Sequence, residues 1–247
     1  MVNWQRGVMR LMRITNHEVV VTGIEDFTEH YRRIRFNGPE LLSELDEVFP
    51  TLWVRLWFPH PEKGEGHVSQ RGYTFVDIDL TSGDFSLDFV LHGDEGPAAR
   101  WAATATPGTR IEAALTPARI DLPGTTNHLV LAGDLTALPA INSWLETVPD
   151  EVRITAVIED RISDGSGLPA VDHPGLERTW IRAGSRPGVA LAEHLRALDL
   201  RSEGLYAWAA GEKGLIKNVR TVLRNDLGLK RDQHFSQFYW FEGKPTG

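Results

Sequence analysis

The stretch "HLVLAGDLTALPAINSWL" (128–145) decides the fold. A short apolar run ends at Gly133-Asp134, and "DLTALPAINSWLETV" (134–148) reads as a helix. A strand whose C-terminal end feeds a helix N-terminus is the junction at which α/β sheets bind nucleotides. The G-x-G-x-x-G fingerprint is missing, so the same residues also read as an Asp or Thr helix cap. Downstream the alternation continues. "VRITAVIED" (152–160) and "LERTWIRAG" (176–184) read as strands, and "PGVALAEHLRAL" (187–198) as a helix. "GLYAWAAG" (204–211) is a strand, "EKGLIKNVRTVLRNDL" (212–227) a helix and "HFSQFYWFEG" (234–243) a closing strand. Strand and helix in alternation predict an α/β domain with a mostly parallel sheet.

Upstream the texture is β. "HEVVVTGIEDF" (17–27), "YRRIRFNG" (31–38), "LWVRLWFP" (52–59), "GYTFVDID" (72–79), "FSLDFVLHG" (85–93) and "TRIEAAL" (109–115) are β-branched or aromatic runs bounded by Gly, Pro and Asp. Short strands at this spacing predict a small antiparallel β-barrel. A turn is expected at "PELLSEL" and one helix at "GPAARWAATA" (96–105), where Pro97 suits the first turn. The break between domains is expected near Pro123–Thr126, giving domains 1–123 and 124–247.

The chain of 247 residues is long enough for two small domains, and its formal net charge of −8 argues against general nucleic-acid binding. No cysteine is present, which excludes disulfides, thiolate metal sites and a Cys nucleophile. The nine histidines include no i, i+4 pair, so no protein-bound metal is expected. G-x-S-x-G and G-x-x-x-x-G-K-[ST] are both absent, which removes the best support for hydrolase and P-loop readings. No apolar run approaches the ~20 residues needed to span a bilayer, and the first residues lack a signal-peptide core. A cytoplasmic monomer is the expectation.

Three further motifs carry candidate chemistry. In "RGYT" (71–74), Arg71 can fork two donors onto a phosphate, Tyr73 offers a flat face to a ring system, Thr74 offers one hydroxyl, and Gly72 keeps the backbone uncrowded. Arg71 and Tyr73 read equally as solvated residues at the start of a strand. In "DFVLHGDEGPAARWA" (88–102) a strand ends at His92-Gly93 and a helix starts at Gly96-Pro97. The free N–H groups of that first turn make Gly96–Ala99 a pyrophosphate cradle or an ordinary junction. In "YAWAAGEKGLIKNVR" (206–220), Lys213, Lys217 and Arg220 share one helix face, whose usual meaning is a solvated stripe.

Taken together and in this order, "RGYT", "DFVLHGDEGPAARWA", "AGDLTALPAI" and "WAAGE" resemble the siderophore-interacting protein family, FAD-dependent ferric-siderophore reductases of the ferredoxin-reductase-like group. The resemblance covers nearly the whole chain. It implies FAD as cofactor, NADH or NADPH as reductant and a ferric siderophore as substrate. Arg71 would meet the flavin pyrophosphate, with Tyr73 on the isoalloxazine and Thr74 near its N5. His92 and Gly93 would lie along the cofactor, and Gly96, Pro97, Ala98 and Ala99 would face its phosphates. Asp134 and Thr136 would border the flavin and the nicotinamide, Gly211 and Glu212 would line the nicotinamide side, and Arg161 could meet a 2′-phosphate. Arg55 and Lys244 would form a basic rim for the siderophore. The chain departs from the family pattern: Phe75 and Val76 follow Tyr73-Thr74 where a second basic residue is usual, Leu135 stands where an acidic residue is usual, and Phe241-Glu242 follow Tyr239-Trp240 where an arginine is usual. Two other readings stay open, a flavin-dependent reductase with another electron acceptor and a module that binds flavin or ferric chelate without turnover.

Overall fold

The computed structural model describes residues 14–59, 68–91, 96–162, 164–200 and 203–242. Its contacts divide the chain into two compact units that part between Arg119 and Ile120.

The first unit is a closed barrel of six antiparallel strands in the order β1-β2-β5-β4-β3-β6. The strands are β1 (His17–Thr28), β2 (Tyr31–Asn37), β3 (Trp53–Pro59), β4 (Val68–Asp79), β5 (Asp84–Val90) and β6 (Arg110–Leu115). Strict period-2 patterning builds its core. Val54, Leu56 and Phe58 point inward from β3, Phe85, Leu87 and Phe89 from β5, and Ile111, Ala113 and Leu115 from β6. Pairing of His17–Val20 with Arg110–Ala113 closes the ring. Asp77, in the left-handed region at φ 50°, lies inside a register shift between Val76 and Asp79, the geometry of a bulge. Among the described residues, two helices belong to this unit. The expected turn at 39–45 contains a one-turn helix, α1 (Pro39–Leu42), and α2 spans Pro97–Thr104.

The second unit is a five-stranded, fully parallel sheet in the order β11-β10-β7-β8-β9. Its strands are β7 (His128–Asp134), β8 (Arg153–Asp160), β9 (Leu176–Arg182), β10 (Leu205–Glu212) and β11 (His234–Trp240). Central strands of such a sheet are covered on both faces, which is why β10 is buried at every position. Helices α4 (Val189–Ala197) and α5 (Lys213–Thr221) pack Leu191, Leu195, Leu215 and Val219 against Val130, Ala132, Ala207 and Ala209. The helix expected from Asp134 onward is divided into a 3-10 turn (Leu135–Ala137) and α3 (Leu138–Leu145), with Pro139 in the first turn of α3. The long helix expected over 212–227 is α5 followed by a π turn over Val222–Asp226. Among the described residues, no helix is long and apolar enough to cross a membrane.

Candidate functional site

The RGYT motif lies inside the twelve-residue β4, not at its start as the sequence suggested. Strand alternation places Arg71, Tyr73 and Phe75 in one row and Gly72 and Thr74 in the other. The Tyr73 ring sits 4.4 Å from Phe89 and 5.9 Å from Phe58. Trp101 of α2 packs on the same two phenylalanines, at 6.1 and 5.5 Å. One aromatic cluster thus joins the strand carrying Arg71 and Tyr73 to the helix that starts at Gly96. Sequence reading did not single out Phe58, Phe89 and Trp101. Their signal was there, since Phe58 and Phe89 occupy the inward positions of β3 and β5. Arg32 also was missed. It is held by Asp26 at 2.6 and 2.9 Å and donates to the Ala102 carbonyl at 2.8 Å, near the other end of α2.

Arg71 is half-buried, and its Nη1 donates to the Gln70 carbonyl at 2.6 Å. Burial pushes its pKa down, and no carboxylate among the described residues compensates the guanidinium. Such a cation has unused hydrogen-bonding capacity for an anion. Burial also raises the Tyr73 pKa, so the phenol stays neutral. Among the described residues, no side chain caps the start of α2. Pro97 has no N–H, Arg100 is the first to donate within the helix, to the Gly96 carbonyl at 3.0 Å, and the Ala98 and Ala99 N–H groups precede it. A Cβ built on Gly96 meets no atom within 4 Å. These features fit the diphosphate of FAD. His92, Gly93 and Lys244, three further residues assigned to the site, lie outside the described residues.

The other row of β4 has a different character. Thr74 pairs across the ladder with Trp53, and Gly72 with Arg55. A Cβ on Gly72 would stand 2.9 Å from the Trp53 ring, so this glycine makes room for an indole of the chain itself. Arg55 lies over that indole at 4.4 Å and donates Nε to Thr116 Oγ1 at 2.9 Å. Thr74 and Arg55 therefore share a face that Tyr73 does not.

In the second unit, Asp134, Thr136, Gly211 and Glu212 do come together, and each has a task within the chain. The Asp134 carboxylate accepts hydrogen bonds from the Thr136 N–H and hydroxyl, from the Glu212 N–H at 2.6 Å and from Trp240 Nε1 at 2.9 Å. It ties the C-terminal ends of β7, β10 and β11 together, and burial raises its pKa against the pull of those donors. Gly211 has φ 147°, and a Cβ there would stand 2.6 Å from Asp134 Oδ2. Glu212 caps α5, accepting from the Gly214 and Leu215 N–H groups. Glu159, which sequence reading did not single out, does the same for α4 from the end of β8, with Gly188 N at 2.7 Å and Leu191 N at 3.0 Å. Leu135, the departure from the family pattern, is 2 % exposed and serves the core.

Two expectations about cations change. Lys213 and Arg220 are not a purely solvated stripe, because Lys213 lies 5.0 Å over Phe241 and Arg220 4.4 Å over Phe238, with Arg220 also donating to Ser236. Arg161, set against a 2′-phosphate, is paired with Glu242 at 2.8 Å.

A closed barrel and a parallel α/β sheet in one chain define the ferredoxin-reductase-like fold. Residues 62–118 match the model of the siderophore-interacting FAD-binding domain, and residues 126–243 that of the siderophore-interacting protein. The chain belongs to the siderophore-interacting protein family. It is 34 % identical to the mycobactin import ATP-binding/permease protein IrtA of Mycolicibacterium thermoresistibile, over 98 % of this chain and 27 % of that protein. The chain thus spans about a quarter of the length of the curated relatives it matches first. It is 29 % identical to the ferric vibriobactin reductase ViuB of Vibrio cholerae, over 70 % of this chain and 65 % of that one. The crystal structure of the siderophore-interacting protein SipS from Aeromonas hydrophila superposes with a TM-score of 0.80 at 26 % identity, covering 94 % of this chain and 93 % of that one.

Proposed function

We propose that this chain is an FAD-dependent reductase that takes electrons from a reduced nicotinamide, NADH or NADPH, and reduces the iron of a ferric siderophore. The observation that carries the reading is Arg71: a half-buried guanidinium with no carboxylate partner among the described residues, on a strand that shares an aromatic cluster with a helix whose first N–H groups have no acceptor among the described residues. In this reading residues 1–123 hold FAD and residues 124–247 meet the reductant.

Arg71 and the Ala98 and Ala99 N–H groups would hold the FAD diphosphate by charge-assisted bonds. Pro97 and Gly96 keep bulk away from that position. Tyr73, backed by Phe89 and Phe58, would give the ring system a fixed aromatic wall, while Thr74, on the other face of the strand, takes no part in that contact. Bound FAD supplies the conversion of a two-electron hydride donor into single electrons for Fe(III). Hard oxygen donors hold Fe(II) far less strongly than Fe(III), so reduction weakens the chelate without hydrolysis. Arg55 would give an anionic ferric siderophore a cation to meet. The reaction belongs in the cytoplasm, where reduced nicotinamides are available, and the chain acts as a monomer.

The test is to purify the chain, record its absorption spectrum with FAD, and add NADH or NADPH under nitrogen. Binding of FAD followed by bleaching of the flavin, and trapping of Fe(II) when a ferric siderophore is supplied, is the expected result. A chain that takes up no FAD sinks the proposal.

A further inference from the structure

The second unit has the architecture of a dinucleotide-binding sheet, yet its diphosphate positions are filled by the protein. Sheets of this kind bind diphosphates at helix N-termini beside the C-terminal ends of their strands, where free N–H groups and small residues let the phosphate approach. Here three such junctions each carry a carboxylate of the chain. Asp134 occupies the Thr136 N–H after β7, Glu159 the Gly188 and Leu191 N–H groups of α4, and Glu212 the Gly214 and Leu215 N–H groups of α5. Glu159 and Glu212 are only 2 % and 6 % exposed.

The glycines at this edge give an independent indication. A Cβ on Gly133 would run into the Ala210 carbonyl and Ala137, one on Gly188 into the Leu215 backbone, one on Gly211 into Asp134, and one on Gly214 would stand 2.8 Å from Glu212 Oε2. The space beside each is taken by the chain, whereas the space beside Gly96 in the barrel is open. A phosphate brought to these junctions would also meet like charge. That repulsion is strongest where water is excluded. The residues of this edge do not fit a diphosphate.

We infer that the reductant is recognised through its dihydronicotinamide ribose half, with its diphosphate and adenosine contributing little to binding. This rests on the reductase reading above, and it names Glu212 as a residue that sets reductant specificity by filling the α5 donors. Reduced nicotinamide mononucleotide should then serve nearly as well as the dinucleotide.

The experiment uses the full chain loaded with FAD and follows flavin bleaching in anaerobic stopped flow with NADH, NADPH and reduced nicotinamide mononucleotide, alongside calorimetric titration with ADP-ribose. The expected result is a second-order rate constant for the mononucleotide within tenfold of that for either dinucleotide, and no ADP-ribose binding at millimolar concentration. A preference for NADH or NADPH beyond tenfold, or ADP-ribose binding in the micromolar range, overturns the inference. Glu212→Gln, which removes the charge and keeps an oxygen acceptor, should raise the dinucleotide rate relative to the mononucleotide several-fold, with folding checked by melting temperature. An unchanged ratio in that folded variant removes Glu212 from the explanation and counts against the inference. If dithionite bleaches the flavin but no nicotinamide does, the reductase reading fails, while the ADP-ribose titration still decides whether the edge accepts a diphosphate.

Discussion

The two units contain the same local feature, a helix start that follows a strand in the chain, and treat it in opposite ways. In the barrel, among the described residues, nothing caps the start of α2 and no carboxylate compensates Arg71. In the parallel sheet the junctions are neutralised from within by Asp134, Glu159 and Glu212. The difference teaches that a fold does not locate a phosphate. Available donors do, and they are found by asking what each N–H already binds.

That contrast can be broken from either side. The largest effect is expected at the Asp134 junction. Asp134→Ala strands the Trp240 indole N–H and the Glu212 and Thr136 donors, and should cost about 3 kcal/mol or more, since each buried unsatisfied group costs about 1–3 kcal/mol. Urea unfolding would measure it, and a loss below ~1 kcal/mol would show that Asp134 is no tie between strands. Next, Arg71→Ala should weaken FAD binding by about 100-fold, the equivalent of ~2.7 kcal/mol from one charge-assisted bidentate contact. Quenching of flavin fluorescence reports this, and Arg71→Lys should recover part of it.

Gly96→Asp turns the open junction into a filled one. The backbone there is already extended (φ −63°, ψ 147°), and a Cβ meets nothing, so the fold should be unaffected or gain a few tenths of a kcal/mol from the new cap. FAD affinity should nevertheless fall at least tenfold. Unchanged affinity in that variant would remove α2 from the cofactor site.

The smallest effect separates the units by pH. His128 and His234 in the sheet have their pKa values lowered, mainly by burial and then by Arg153 in the first case and by Arg224 and Arg220 in the second. The unfolded chain, with histidines near pH 6.5, then binds more protons than the folded one. Stability contributed by these neutral histidines is present above about pH 6.5 and is lost as pH falls through the lower folded values. His234→Gln should flatten that slope in chemical unfolding between pH 7 and 5.

Much of this was legible because it was local. Period-2 runs gave the barrel strands, apolar blocks separated by helices gave the parallel sheet, and RGYT announced a cation and a ring on neighbouring positions of one strand. What stayed hidden was pairing at a distance. Glu159 sits in the run "VIED" like any solvated acid, and nothing nearby says that its donors are Gly188 and Leu191, about 30 residues on. Asp134 read as a ligand residue or a simple cap, and it is a cap with two further donors from β10 and β11. Arg55 looked like a free basic anchor, although strand alternation sets the Trp53 indole on the same face two residues before it. The RGYT residues were placed at a strand start because the polar loop before them hid the beginning of β4.

Closure of the barrel carries a consequence for how the chain is made. β1 finds its second neighbour in β6, so residues near position 18 wait for residues near position 112. A nascent chain that has not yet delivered β6 has two raw edges, on β1 and β3, each able to pair with another molecule. Parallel partners β7 and β8, by contrast, are separated by little more than one helix. Non-local pairing slows folding, so the half that emerges first during synthesis is the half most in need of protection from aggregation.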